Sequence, residues 1–163
     1  MAILYDTYDV TFAEVPDEIS LSISITNCQG RCKGCHSPHL RENTGENLLL
    51  ALPHLLDKYK GLVTCVCFLG EGNDGAALIE AIKIANDAGY KTCLYSGNDV
   101  CEIYKYVKLD YLKVGPYIQE LGGLGSLTTN QKMYRIIYCN DIPEKLQDIT
   151  YLFRQKLLSN NKV

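Results

Sequence analysis

A nearly continuous apolar run at residues 62–69 constrains the fold of this chain more than any other feature. The run is rich in β-branched residues and stops at Gly70, which is the pattern of a strand buried on both faces of a parallel sheet. Upstream, residues 19–25 alternate isoleucine or leucine with serine, the period of a strand with one covered face. We therefore expect a fold built around a sheet.

Strands and helices alternate along the rest of the sequence. A helix is predicted between a cap at Asn73 or Asp74 and a stop at Gly89, and another over residues 49–59. Because proline is tolerated in a first helical turn, the start of the earlier helix is placed near Leu50 to Pro53. Further elements are predicted in chain order: strands at 91–95, 111–114 and 134–138, and helices at about 99–107 and 148–158. This alternation predicts an α/β fold with a mostly parallel sheet.

Length and composition narrow the class of protein. The 163 residues correspond to one domain, residues 1–163, and no repeat or polar linker divides them. The formal net charge of -3 disfavours a nucleic-acid partner, and the apolar runs are far shorter than the ~18 residues of a membrane span. Eight cysteines without a secretory leader predict a reducing, cytoplasmic setting in which thiols are free for metal or chemistry.

Three of the cysteines form a motif directly after the first predicted strand. Cys28, Cys32 and Cys35 have the spacing C-x3-C-x2-C, and Gly30 and Gly34 allow so short a loop to wrap round a common centre. The strand ends of an α/β sheet are where ligands collect. We therefore expect the loops that begin at residues 27, 70, 96 and 115 to converge on one site.

Three interpretations of the cysteine loop are open from the residues alone. A structural zinc site would recruit His36 or His39 as its fourth ligand, because such sites are usually closed by four protein ligands. An iron-sulfur cluster held by three cysteines would instead leave one iron open for a small molecule. In the third interpretation the thiols are unconnected. The other five cysteines are predicted to be packing residues: Cys65, Cys67, Cys93, Cys101 and Cys139.

The cysteine loop resembles the cluster motif of the radical S-adenosylmethionine superfamily. Further landmarks, Tyr95-Ser96-Gly97, residues 110–117 and Asn130-Gln131, look like the activating proteins of anaerobic ribonucleoside-triphosphate reductase. The resemblance runs in order from about residue 19 to residue 136. It implies an abbreviated partial (β/α) barrel of the radical S-adenosylmethionine type.

The resemblance also assigns the site. It implies one 4Fe-4S cluster on Cys28, Cys32 and Cys35, with S-adenosylmethionine on the fourth iron, and no catalytic side chain beyond the cluster and cofactor site. Two segments are implied to contact S-adenosylmethionine: Gly34, Cys35 and His36 in the cysteine loop, and Gly70, Glu71 and Gly72 after the next strand. His36 stands where relatives usually carry an aromatic residue, and the 70–72 turn lacks the family's proline.

The implied activity is the generation of a glycyl radical on anaerobic ribonucleoside-triphosphate reductase. The family cleaves S-adenosylmethionine reductively to a 5'-deoxyadenosyl radical, with an electron from a donor such as a flavodoxin or ferredoxin. One alternative is activation of another glycyl-radical enzyme, or a small radical enzyme with a different substrate. A different class of protein, a zinc-stabilised interaction module, is the remaining alternative.

Overall fold

A computed structural model describes residues 2–154, and within them the chain forms one eight-stranded sheet, two longer α-helices and a helical turn at residues 151–154. The strands are β1 (Leu4–Thr11), β2 (Ser20–Ile25), β3 (Glu46–Asn47), β4 (Cys65–Leu69), β5 (Lys91–Tyr95), β6 (Tyr111–Val114), β7 (Lys132–Cys139) and β8 (Ile142–Asp148). The helices are α1 (Leu48–Lys58) and α2 (Gly75–Asp87), and short 3-10 turns lie at Pro38–Arg41 and Ile103–Lys105.

The sheet is mixed, so the predicted partial (β/α) barrel with a mostly parallel sheet is wrong. Its order is β3-β1-β2-β4-β5-β6-β7-β8. Only the central strands β2, β4, β5 and β6 run parallel, whereas the four outer pairings of the described sheet are antiparallel. The physical reason lies in the connections: β7 and β8 are joined by Asn140 and Asp141 alone, both at positive φ, and so short a link permits only a hairpin.

Both α-helices contribute to the larger of two apolar clusters. In α1 the Asn47 side chain accepts a hydrogen bond from Leu50 N at 3.2 Å, so the helix begins at Leu48 and Pro53 lies in its second turn. The predicted start near Leu50 to Pro53 is therefore about one turn late. In α2 the predicted Asp74 cap is confirmed, because its carboxylate accepts from Ala77 N at 3.1 Å. No helix among residues 2–154 is long and apolar enough to cross a membrane.

Three other predicted elements differ from the structure. The strand predicted at 62–69 begins only at Cys65, after an exposed Leu62. The helix predicted at 99–107 is only the 3-10 turn Ile103–Lys105, because Asn98 and Cys101 hydrogen-bond to Glu71 instead of capping a helix. Of the helix predicted at 148–158, residues 151–154 are helical and residues 155–158 lie outside the described part of the chain.

The second apolar cluster contains three of the five cysteines that were predicted to be packing residues. Cys65, Cys67 and Cys93 have no exposed surface, which confirms the prediction for them. Burial raises the pKa of the Cys65 and Cys93 thiols, so these groups stay protonated. Cys101 is half-buried, and Cys139 is exposed at the end of β7, so the packing interpretation is wrong for Cys139.

A buried carboxylate ties the amino ends of the central strands together. Glu18 is 7% exposed and accepts hydrogen bonds from Lys91 Nζ at 2.7 Å, from Tyr111 Oη at 3.0 Å and from the Thr64 hydroxyl. Burial alone would raise the pKa of the Glu18 carboxyl, but these three donors together lower it. Burial and the same carboxylate raise the pKa of Tyr111 to about 12.

We expect Glu18→Gln to lower the free energy of unfolding by about 1–3 kcal/mol at pH 7, because a buried charged acceptor with three donors is lost. The folded pKa of Glu18 lies below its ordinary value of 4.5, so its contribution is present above that pH and is lost as the pH falls through the folded pKa. Urea titrations at pH 7 and at decreasing pH measure this. Glu102→Gln, which removes an exposed partner of Lys105, is the control and should cost less than ~1 kcal/mol. Equal losses for the two variants would contradict the assignment.

Candidate cofactor site at the carboxyl edge of the sheet

Four loops meet at the carboxyl ends of the parallel strands, as the sequence predicts. They enclose a cavity of about 660 Å³, a size typical of small-molecule sites. Each loop after β2, β4, β5 and β6 supplies part of the wall: residues 28–32, residues 70–75, Gly97 with Asn98, and Pro116 with Tyr117. The first of these segments carries two of the three motif cysteines.

The cysteine loop is anchored at both ends. At its start, Cys28 N donates to Leu40 O at 2.9 Å, which closes the loop against the 3-10 turn Pro38–Arg41. Further along, the Arg41 guanidinium donates to Cys32 O at 3.0 Å. These two hydrogen bonds hold the loop through its backbone and do not involve its thiols. All three motif thiols are free and at least partly exposed.

Two of the thiols flank a space that a side chain would fill. A Cβ placed on Gly30 would lie 3.4 Å from Cys28 Sγ and 3.9 Å from Cys32 Sγ, so glycine keeps the region between the two sulfurs open. Cys35 Sγ instead accepts a hydrogen bond from Ser37 N at 3.4 Å. Among residues 2–154 no three Cys, His, Asp or Glu side chains are grouped closely enough to hold a metal ion. The donor set and the open space at Gly30 fit a thiolate-bound cluster, and closing round one requires Cys35 to join the other two thiols.

The two histidines of this region contact residues other than the motif cysteines. The His36 ring lies 5.3 Å from the Tyr117 ring, and His39 Nε2 lies 3.4 Å from Asp6 Oδ2. Neither histidine belongs to a metal-holding group with the cysteines in the described structure. The contact of His36 with Tyr117 joins the cysteine loop to residues 115–125, a segment rich in glycine.

A second contact between these two segments depends on Gly34. This residue has φ +74°, and a Cβ there would lie 3.0 Å from the Gln119 side-chain carbonyl carbon. We expect Gly34→Ala to lower the free energy of unfolding by about 1–2 kcal/mol, because the left-handed backbone penalises any side chain. Gly97→Ala is the control, since no atom lies within 4 Å of a Cβ at that position and φ is not positive. Chemical denaturation of the two variants checks this, and an equal loss in both would contradict it.

Glu71, on the loop after β4, is held in place by side chains from the next loop. One carboxylate oxygen accepts from the Ser96 hydroxyl at 2.8 Å and from the Asn98 amide, and the other accepts from Cys101 Sγ at 3.5 Å. Burial and the neighbouring Glu71 raise the pKa of the Cys101 thiol, so it acts as a donor. The carboxylate therefore lines the cavity in a fixed orientation, with capacity to accept further hydrogen bonds.

Sequence reasoning missed the side chains that hold Glu71. The sequence predicts that the loop beginning at Ser96 belongs to the site, but it assigns no role to Ser96 or Asn98, and it places Cys101 in a helix as a packing residue. Their positions just beyond β5, opposite the loop after β4, were the available signal, because neighbouring parallel strands bring their following loops together. Tyr117 was likewise noted without a role, although it lines the cavity and contacts His36.

No family model, curated protein or solved structure matches this chain. What the site can bind therefore follows from its own residues. Thiols are ligands for soft metals and iron-sulfur clusters, and a positioned carboxylate is a partner for an ammonium group. The cavity places both kinds of group on the walls of one space.

Proposed function

We propose that this chain is a radical S-adenosylmethionine activase that generates a glycyl radical on anaerobic ribonucleoside-triphosphate reductase. The observation that carries the proposal is the position of the three-thiol loop. It follows β2, and two of its thiols, Cys28 and Cys32, line a cavity that Glu71 also lines. The argument rests on the residues of this site and not on the architecture of the sheet.

Cys28, Cys32 and Cys35 would hold the 4Fe-4S cluster. Bound there, the cluster would supply the electron that cleaves S-adenosylmethionine to methionine and a 5'-deoxyadenosyl radical. The chain's own task is to bind, orient and shield the reactants. Gly30 leaves room between two of the thiols, and Ser37 N donates to the third sulfur. Hydrogen bonds to cluster sulfurs are one of the protein's means of setting cluster potential.

Glu71 would orient the cofactor by accepting hydrogen bonds from its ammonium group. Ser96 and Asn98 hold one carboxylate oxygen, which fixes the direction of the remaining lone pairs. Gly70 and Gly72, both at positive φ, shape the turn that carries it. Gly34, Cys35 and His36 would contact the cofactor from the cysteine loop, where the His36 ring lies 5.3 Å from the Tyr117 ring at an interplanar angle of 54°. A fixed carboxylate loses little entropy when the ligand binds.

The proposed substrate is a glycine on a protein partner. The resemblance of the cysteine loop and of the later landmarks to activating proteins supports a substrate that another protein supplies. We place the activity in the cytoplasm, where thiols stay reduced, with a flavodoxin or ferredoxin as electron donor.

The proposal is tested by mixing the anaerobically reconstituted, reduced protein with S-adenosylmethionine and an anaerobic ribonucleoside-triphosphate reductase. We expect a glycyl-radical signal in electron paramagnetic resonance that requires all three components. A reductase variant with the target glycine changed to alanine is the control and should give no signal. Cofactor cleavage without the signal would favour activation of another glycyl-radical enzyme, and the absence of both would contradict the proposal.

A further inference from the structure

A smaller cavity lies apart from the cofactor site, where the β7–β8 hairpin meets the segment that precedes β6. Its volume is about 290 Å³, near the lower limit of roughly 300–1,000 Å³ for small-molecule sites. None of the described residues that line it also lines the cofactor cavity. We call it the hairpin cavity. Its walls include three tyrosines, two lysines and one aspartate: Tyr104, Tyr106, Tyr138, Lys105, Lys108 and Asp141.

One of the three tyrosine rings is free to contact a ligand. Tyr106 is 77% exposed, which makes it the most exposed tyrosine of residues 2–154. Among these residues neither Tyr104 nor Tyr106 stacks on another aromatic ring. The Tyr138 hydroxyl, in contrast, accepts from Leu109 N at 2.8 Å and donates to Leu109 O at 2.9 Å, so this ring is a fixed wall. An exposed ring without a stacking partner offers its face to a flat ligand.

Two ammonium groups lie on the same walls. No carboxylate pairs with Lys108 in the part of the chain that the structure describes, and Lys105 pairs with Glu102 at 2.7 Å. Both members of that pair are about half exposed, and an exposed ion pair contributes ~1 kcal/mol or less, so Lys105 is able to turn to a stronger anion. Two ammonium groups match a phosphate monoester, whose charge at pH 7 is about -1.5 to -2.

The aspartate on these walls narrows the class of ligand further. Asp141 lies in the two-residue turn of the hairpin, at φ 63°. Its carboxylate repels a bare phosphate but accepts hydrogen bonds from hydroxyl groups. Ribose hydroxyls are such donors, and a carboxylate holds them in dinucleotide-binding folds. The two lysines disfavour a cationic ligand, which tyrosine rings alone would suit.

We propose that the hairpin cavity binds a mononucleotide. The base stacks on Tyr106, the phosphate pairs with Lys105 and Lys108, and the ribose hydroxyls donate to Asp141. Base, phosphate and ribose thus each meet the kind of side chain that suits them on the walls of one space. The small volume and the two lysines fit one nucleotide and not a longer strand, which needs a basic track that a chain of net charge -3 lacks.

This binding goes beyond the proposed activase function and needs neither the cluster nor S-adenosylmethionine. The test is therefore made on the full chain with reduced thiols and no added metal, by nuclear magnetic resonance titration at pH 7. The probes are the four ribonucleoside 5'-monophosphates, the matching nucleosides, which lack only the phosphate, and inorganic phosphate. The ¹H and ³¹P signals of these ligands report binding to the parent and to every variant alike.

We expect saturable binding of at least one mononucleotide, and weaker binding of its nucleoside and of inorganic phosphate. Tyr106→Ala should weaken nucleotide binding roughly fivefold to 150-fold, the range that base stacking on an aromatic ring contributes. Tyr106→Phe keeps the ring and should bind within about twofold of the parent. Lys108→Met should weaken binding of the nucleotide and leave binding of the nucleoside unchanged, because only the phosphate contact is lost.

Two control variants lie outside the hairpin cavity. Tyr151→Ala and Lys83→Met change an exposed tyrosine and an exposed lysine, and both should bind the nucleotide as the parent does. Tyr106 and Lys108 are themselves exposed, so their variants should unfold in urea at the same midpoint as the parent. The proposal is overturned if no mononucleotide binds, if the nucleoside or inorganic phosphate binds as tightly as the nucleotide, or if either Tyr106→Ala or Lys108→Met binds the nucleotide as tightly as the parent.

Discussion

Cys32→Ser should remove most of the bound iron and lower S-adenosylmethionine cleavage on the order of 100-fold, because a hydroxyl is a poor substitute for a soft thiolate ligand. Cys32 is one of the two sulfurs that flank the open space at Gly30. A cluster with only three protein ligands has no spare one, so the loss of any of the three is severe. Iron and sulfide content after anaerobic reconstitution, followed by cofactor cleavage, measure the effect.

The matched control is Cys139→Ser. Cys139 is an exposed cysteine on β7, outside the cysteine loop, so its replacement should leave iron content and cleavage unchanged. Cys28→Ser and Cys35→Ser should each behave like Cys32→Ser if the three thiols act as a unit. Full iron loading in Cys35→Ser would contradict the three-ligand cluster.

The second large effect is expected at Glu71. We predict that Glu71→Gln weakens S-adenosylmethionine binding by roughly 10-fold to 150-fold, since a hydrogen bond to a charged group contributes about 1.5–3 kcal/mol. The substitution keeps the shape of the side chain. It removes the charge, and one of the two oxygens becomes an amide nitrogen that cannot accept from Ser96, Asn98 or Cys101. Equilibrium binding to the cluster-loaded protein measures the change.

Two further variants separate the charge of Glu71 from its position. Ser96→Ala removes one donor and leaves the carboxylate, so we expect a smaller loss of affinity, on the order of tenfold or less. Glu120→Gln changes an exposed glutamate of the glycine-rich segment and should have no effect. Unchanged affinity in Glu71→Gln would show that this carboxylate does not contact the cofactor.

The central strands were predictable because their residues carry the signal themselves. Residues 91–95 and 111–114 match β5 and β6, since buried parallel strands are dense in apolar residues. Of the outer strands, β7 contains the strand predicted at 134–138, but β1 and β8 carry no such signal. β8 reads IPEKLQD, with a proline and four charged or amide side chains, and only its hairpin partner makes it a strand. Because the sequence does not predict β1 and β8, which pair antiparallel, a mostly parallel sheet was expected.

The candidate site was also predictable only in part. The convergence of four strand-end loops follows from the direction of β2, β4, β5 and β6, and it was predicted from their order. The detailed contacts were not, because they depend on side chains that meet only after folding. Ser96 and Asn98, from the loop after β5, donate to Glu71 in the loop after β4, and the buried Lys113 ammonium donates to the carbonyls of Ser96 and Gly115.

The most direct test of the central claim is the metal content and absorption spectrum of the protein purified without air. The three-thiol loop predicts a brown protein with about four irons and four sulfides per chain and broad absorption that bleaches on reduction. Replacement of both His36 and His39 should leave this cluster in place, because neither histidine lies among its ligands. A colourless protein with one zinc per chain, released when those histidines are replaced, would contradict the account and identify the loop as a closed zinc site.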